Sequence, residues 1–270
     1  MNILITGVAS GIGKALKEKY LESKHTVYGI DIIDSKEKNP NFKSYIVDIT
    51  NEENLQEVFN ELKDKKIKLD MIVNIAGIHK MASFVETKYQ TMKKVIDINL
   101  LGTMLVNNTF HPLLKEKGKI IIITSEVASY APLPFNGLYS VSKIALDAYA
   151  QSLRQELNLL NQKVITIRPG AVKTPLCDNS ANDTNQLAEN TVLYKNESVH
   201  FSNLVKKFTG TPLEPIKMAN YIYKISLKKR PKYIYKKHQN IGLVLLSILP
   251  KRLQCWIIKL LLKRKNKNTL

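Results

Sequence analysis

The sequence predicts an α/β fold: a doubly wound, mostly parallel sheet flanked by helices, with a basic, apolar helical extension at the C-terminus. Three observations predict it. Short apolar runs alternate with amphipathic stretches, the pattern of βαβ units. The first run leads directly into a glycine-rich turn, Thr6-Gly7-Val8-Ala9-Ser10-Gly11-Ile12-Gly13, and then a helical pattern. The 270 residues, 44% of them hydrophobic, suit one α/β domain whose core needs no disulfides.

The runs 2–6, 26–31, 44–47, 70–74, 119–124 and 163–168 are β-rich and almost unbroken in apolar character. Strands covered on both faces read this way. Residues 12–23, 51–64, 88–115 and 139–160 read as the intervening helices. Thr50-Asn51-Glu52-Glu53 offers a capping box for the second. The third is expected to break near Gly102 or at His111-Pro112. Lys232-Tyr233-Ile234-Tyr235 reads as a seventh strand. Residues 176–214 are polar, rich in Asn, Ser and Thr, and follow a strand's carboxyl end. Such an excursion is either a lid over a ligand or a disordered surface loop. The expected units are a domain over 1–238, including 176–214, and an extension over 239–270.

Charge is unevenly placed. Of the net +18, residues 215–270 carry fifteen Lys/Arg and no acid, and the rest of the chain is nearly neutral. A basic tail interleaved with Leu, Ile and Trp points to an anionic membrane surface, not to nucleic acid. From Pro250, a helix would set Leu253, Trp256, Ile257, Leu260 and Leu261 on one face, with Lys251, Arg252, Lys259 and Lys263 largely off it. An interfacial helix and a core or dimer helix both fit that pattern. Neither apolar stretch of the tail reaches the ~20 residues needed to span a bilayer. Cys177 and Cys255 match no metal or redox spacing, so a reducing, cytoplasmic compartment is expected, with peripheral membrane attachment. No leader is expected, because the first strand starts at Asn2.

The chemistry is carried by three motifs. Gly7, Gly11 and Gly13, between a strand and a helix, let backbone approach a pyrophosphate at a helix N-terminus. Asp31 ends the second strand, where a carboxylate can bind an adenosine ribose and repel a 2′-phosphate. Tyr139 and Lys143, four apart, share one helix face, so an ammonium can stabilise a phenolate.

Together, and in this order, these motifs resemble the short-chain dehydrogenase/reductase family, with its Thr-Gly-x-x-x-Gly-x-Gly turn and Tyr-x-x-x-Lys pair. The resemblance covers residues 2 to about 175 and implies a Rossmann-like fold. It implies NAD(H)-linked hydride transfer with a secondary alcohol or ketone. Tyr139 is then the general acid/base and Lys143 its cationic partner and ribose ligand. Asn99 orders a water beside that lysine, and Ser125 polarises the substrate oxygen. Counting back from Tyr139 lands instead on Glu126; counting along the strand gives Ser125, and the strand count is preferred because a shift there would reverse every side chain. Glu126 either selects a polar substrate group or faces solvent. The implied cofactor contacts also take in Ser10, Ile12, Ile32, Asp48, Ile49, Asn74, Ala76, Gly77, Pro169, Gly170, Val172 and Thr174. Ser10 and Ile32, where NADP users often carry a basic residue, favour NAD. Asn74-Ile75-Ala76-Gly77 departs from the family's Asn-Asn-Ala-Gly, and its asparagine is partly structural. His79, Met81, Pro134 and Tyr194 are pocket-lining candidates, with His79 read as a loop histidine. No metal is implied, and a homo-oligomer, dimer or tetramer, is expected. The segment from Lys229 into the apolar tail is similar to the retinol- and hydroxysteroid-dehydrogenase branch. Two other readings stand beside this one: a non-redox dehydratase or epimerase on the same scaffold, and a catalytically idle NAD-binding scaffold or sensor.

Overall fold

The computed structural model describes residues 1–208 and 210–263. Seven parallel strands form one sheet: β1 (Asn2–Thr6), β2 (Thr26–Asp31), β3 (Phe42–Ile46), β4 (Leu69–Asn74), β5 (Leu114–Ile123), β6 (Lys163–Pro169) and β7 (Ile234–Lys237). Their order is β3-β2-β1-β4-β5-β6-β7, so the winding reverses between β1 and β4. In such sheets ligands bind at the carboxyl ends beside that switch point.

Helices cover both faces. On one, α1 (Gly11–Glu22) and α8 (Pro215–Ser226) bury Leu16, Tyr20, Met218 and Ile222 against Ile3, Ile5 and Ile165. On the other, α2 (Glu52–Asp64), α4 (Thr103–Phe110) and α5 (Gly137–Asn158) bury Leu55, Phe110 and Leu146 against Leu4, Ile72 and Ile120. The central strands are apolar on both sides because both sides are covered.

Local differences from the sequence reading have physical reasons. Asn51, not Thr50, caps α2: its Oδ1 accepts the Asn54 N–H at 3.0 Å, while the Thr50 hydroxyl donates to Asp48. The stretch 88–115 is α3 (Tyr89–Ile96), a π turn over Asp97–Gly102, then α4 and a 3₁₀ turn at His111–Leu113, after which β5 begins. The break at Gly102 is therefore a widened turn. A Cβ on Gly102 would stand 2.9 Å from Ile49 Cδ1. The seventh strand starts at Ile234, two residues late. The excursion 176–214 is two packed helices, α6 (Pro175–Asn190) and α7 (Lys195–Phe208). The extension folds as α9 (Ile241–Ile248) and α10 (Lys251–Leu262), the latter packed on α7. Residues 264–270 of the basic tail lie outside the described residues.

Candidate active site

A cavity of about 1070 Å³ opens at the switch point and runs from the glycine turn to the C-terminal helices. At its first end, Gly7 and Gly11 have φ of +78° and +51°, which side chains rarely adopt. A Cβ on Gly11 would stand 2.8 Å from Thr174 Cγ2. One on Gly13 would collide with the Gly7 carbonyl oxygen. Gly13 thus serves the close packing of turn on helix and does not itself line the cavity. Ser10 gives α1 no side-chain cap, and the first turn carries no acid. That helix end offers N–H groups and positive potential to an anion, a fit for the pyrophosphate of a dinucleotide.

Asp31, Ile32, Asp48 and Ile49 follow along the cavity wall. The Asp31 carboxylate accepts the Ala9 N–H at 2.9 Å and the Ile33 N–H at 3.2 Å, which fixes it at the end of β2. Asp48 accepts from the Thr50 N–H and hydroxyl, both at 2.8 Å. Ala76 and Gly77 reach the wall, but Asn74 does not. It is buried and donates to Asn107 Oδ1 at 2.8 Å, the structural part of its expected role.

Asn99 sits fully buried in the π turn. Its amide donates to the Ile78 carbonyl at 2.8 Å and to Ser142 Oγ at 3.0 Å, and its Oδ1 accepts the Ile78 N–H at 2.8 Å. A side chain so occupied positions the Gly77–Ile78 backbone.

The reacting end is built by β5 and α5. Ser125 follows β5, and Tyr139 and Lys143 lie in the first two turns of α5; all three line the cavity. Lys143 Nζ is 5.9 Å from the Tyr139 ring centroid and donates to the Ile123 carbonyl at 3.4 Å. Burial pushes the Tyr139 phenol up to about 12, although a hydrogen bond with Ser125 pulls the other way. Burial also pulls Lys143 down to about 8. His79 stacks on Tyr139 with ring centroids 4.4 Å apart, and its Nε2 meets Asn136 Oδ1 at 3.0 Å. It is thus a loop histidine that lines the reacting end, as the sequence suggested. Met81 and Pro134 also line the cavity, whereas Tyr194 packs edge-on against Phe135.

Glu126 is not a solvent-facing acid, and it lines the cavity beside Ser125. It is buried, and its Oε2 accepts the Asn240 N–H at 2.6 Å. Burial raises its carboxyl above the ordinary range, against the opposing pull of that hydrogen bond and of His238. Opposite, Pro169, Gly170, Val172 and Thr174 line the cavity. Thr174 caps α6, accepting the Cys177 N–H at 3.3 Å. Its contact with Gly11 joins the strand-end turn to the dinucleotide cradle.

The family model described as short chain dehydrogenase matches residues 1–185. The 3-ketodihydrosphingosine reductase of Bacteroides thetaiotaomicron is 26% identical over 86% of this chain and 85% of its own. The NADPH-dependent 1-acyldihydroxyacetone phosphate reductase of Schizosaccharomyces pombe is 31% identical over 76% of this chain and 73% of its own. Among solved structures, a short chain dehydrogenase family protein from Francisella tularensis superposes with a TM-score of 0.72 at 26% identity, covering 87% of this chain and 96% of that one.

Proposed function

The chain belongs to the short-chain dehydrogenase family, oxidoreductases that work with a nicotinamide cofactor, and on that premise we propose that it moves hydride between NAD(H) and a lipophilic secondary alcohol or ketone. The observation that carries this reading is that Ser125, Tyr139 and Lys143 share one cavity with the glycine turn. When bound, the nicotinamide supplies or accepts the hydride. The chain's own residues handle the proton and the orientation. Tyr139, held protonated at neutral pH, donates its hydroxyl proton to the carbonyl oxygen as charge develops there. Ser125 donates a second hydrogen bond to that oxygen. Lys143, in its charged form, favours the phenolate left behind and holds the nicotinamide ribose. Oxidation of an alcohol runs the same transfer backwards. Asn99 sets the Ile78 backbone near which Lys143 lies, and by the family's pattern it orders a water beside the lysine.

The preference for NAD rests on Asp31, whose carboxylate is pinned by two backbone N–H groups at the ribose end of the cradle. A 2′-phosphate there would meet that charge with no basic residue at Ser10 or Ile32 to offset it. One relative is named NADPH-dependent, so the pinned carboxylate, not kinship, supports this choice.

The extension supports a peripheral place on an anionic membrane, on the cytoplasmic side. Among the described residues no helix is long and apolar enough to cross a bilayer. Yet α9 is apolar except for Ser247: Ile241 is 74% and Ile248 73% exposed, and Trp256 on α10 is 57% exposed. Leu253 and Leu260 continue that face, and Leu261, equally exposed, also lines the cavity. Lys251, Arg252, Lys259 and Lys263 stand around it, all exposed. Exposed apolar area ringed by unopposed positive charge matches a lipid surface.

The test is turnover of the purified chain with NADH against steroid, retinoid, long-chain and sugar ketones. NADH consumption with a lipophilic ketone, lost in Tyr139→Phe, is expected. Product formation with no net NADH consumption would instead identify a dehydratase or epimerase.

A further inference from the structure

Past the catalytic pair the cavity changes character. Phe201 and Leu204 of α7, Leu243 and Leu246 of α9, and Ile258 and Leu262 of α10 form its far walls. Helix α6 adds polar groups to the lining, Asn179, Asn182 and Gln186 among them. Ser125 and Tyr139 line the same cavity as these walls and the cofactor cradle. We propose that this far compartment is a channel for one long alkyl chain. The substrate is then a single-chain amphiphile, with a ketone or secondary alcohol between an alkyl tail and a polar head. The tail lies among α7, α9 and α10, and the head lies along α6. This deepens the hydride-transfer reading and rests on it.

Three features of the structure support the assignment. First, the wall is built by the same two helices that carry the exposed apolar face. On α9, Leu243 and Leu246 turn to the cavity while Ile241, Val244, Leu245 and Ile248 turn out. A chain leaving a lipid surface past this helix meets apolar side chains throughout. Second, Leu243 and Leu246 are half-buried and present apolar side chains to the open cavity. Third, the wall is fixed to the chemistry: Glu126, next to Ser125, holds the Asn240 N–H at the first turn of α9. A small polar substrate needs none of these features. An apolar channel contributes affinity in proportion to the chain it removes from water.

The experiment measures kcat/KM of the full chain with NADH for straight-chain methyl ketones, from butan-2-one to tridecan-2-one. Each added methylene should raise kcat/KM by roughly three- to fourfold until the channel is full, the factor set by burying one CH₂. Leu246→Glu should flatten this dependence, and Leu243→Asn, a milder change on the same wall, should reduce it. The slope compares substrates within one protein, so a smaller active fraction does not imitate its loss, and NADH fluorescence confirms that each variant still binds cofactor. Turnover that is independent of chain length in the wild type overturns the channel and leaves hydride transfer standing. A wild-type slope retained in both variants overturns the assignment to α9. Turnover of no member, while another ketone of the panel above is reduced, overturns the channel; no turnover of any ketone overturns the hydride-transfer reading and this one with it.

Discussion

The backbone N–H of Asn240 donates to Glu126 Oε2 at 2.6 Å, joining the C-terminal extension to the residue beside Ser125. The two positions are 114 residues apart in sequence. Around them the packing is close: a Cβ on Gly170 would stand 3.4 Å from Glu126 Oε1 and would collide with the His238 carbonyl oxygen. The extension is therefore continuous with the active site, and a change at Glu126 should be felt in both.

Glu126→Ala removes the acceptor of a part-buried N–H and should lower stability by about 1–3 kcal/mol. Glu126→Gln keeps an acceptor and removes a poorly solvated charge. The sign follows from the raised carboxyl: the folded state holds the proton longer than the unfolded chain does. That contribution to stability is full below the unfolded carboxyl range, near ~4.3, and fades as pH rises through the higher folded value. The melting temperature of Glu126→Gln relative to wild type should therefore increase from acid toward neutral pH. A difference that is flat with pH would mean that Glu126 keeps its ordinary acidity. Ser125→Ala should harm turnover far more than Glu126→Gln, because only Ser125 meets the substrate oxygen.

Tyr139→Phe should lower kcat by roughly 10²–10⁴-fold, the usual loss on removing a general acid–base group, with NADH affinity nearly unchanged. Lys143→Ala should reduce both rate and NADH affinity. In the cofactor-free protein Lys143 is pulled down to about 8, so it is charged below that pH and neutral above it. The pH profile of kcat/KM for NADH, which reports the cofactor-free enzyme, should accordingly fall above about pH 8. Lys143→Met should lose that limb. A limb that persists in the variant would belong to another group.

Asp31→Ala should narrow the preference for NADH over NADPH, and Asp31→Arg should narrow it further or reverse it. Direct titration of both cofactors by fluorescence quenching measures this without a substrate. A wild-type protein that binds NADPH more tightly at equal ionic strength would contradict the role given to the pinned carboxylate.

The parts of the site legible in the sequence are those whose chemistry is local. Gly7 and Gly11 need positive φ, and Tyr139 and Lys143 need one helix face; both requirements act over a few residues. Helix α6 was missed because its Asn and Ser content suggests a loop, yet its start was signalled: Thr174 followed by Pro175 is an N-cap and first-turn pair. The π turn at Asp97–Gly102 left no signal beyond Gly102 itself. His79 on Tyr139, Asn74 on Asn107 and Asn240 on Glu126 are contacts between distant elements. No periodicity records them, because each depends on where the sheet order brings two loops or helices together.

The last prediction concerns the outward face of α9 and α10. Trp256 is the only tryptophan of the chain and is 57% exposed, so its fluorescence reports directly on that face. Anionic vesicles should shift its emission to the blue and protect it from aqueous quenchers, and neutral vesicles should do so much less. Each Lys or Arg near the surface adds about 1 kcal/mol, and the described part of the extension carries Lys251, Arg252, Lys259 and Lys263 around the face. Raised salt should reverse the shift by screening those charges. Replacing Leu245 and Ile248 by Asp should abolish it, because both side chains point outward and their loss places charge against lipid. NADH binding should be unaffected, since the dinucleotide cradle lies at the other end of the cavity. Equal shifts with neutral and anionic vesicles would remove the electrostatic part of the argument. An emission unchanged by either would mean that the face is covered by protein instead, and sedimentation of the same sample would then show an oligomer held together by α9 and α10.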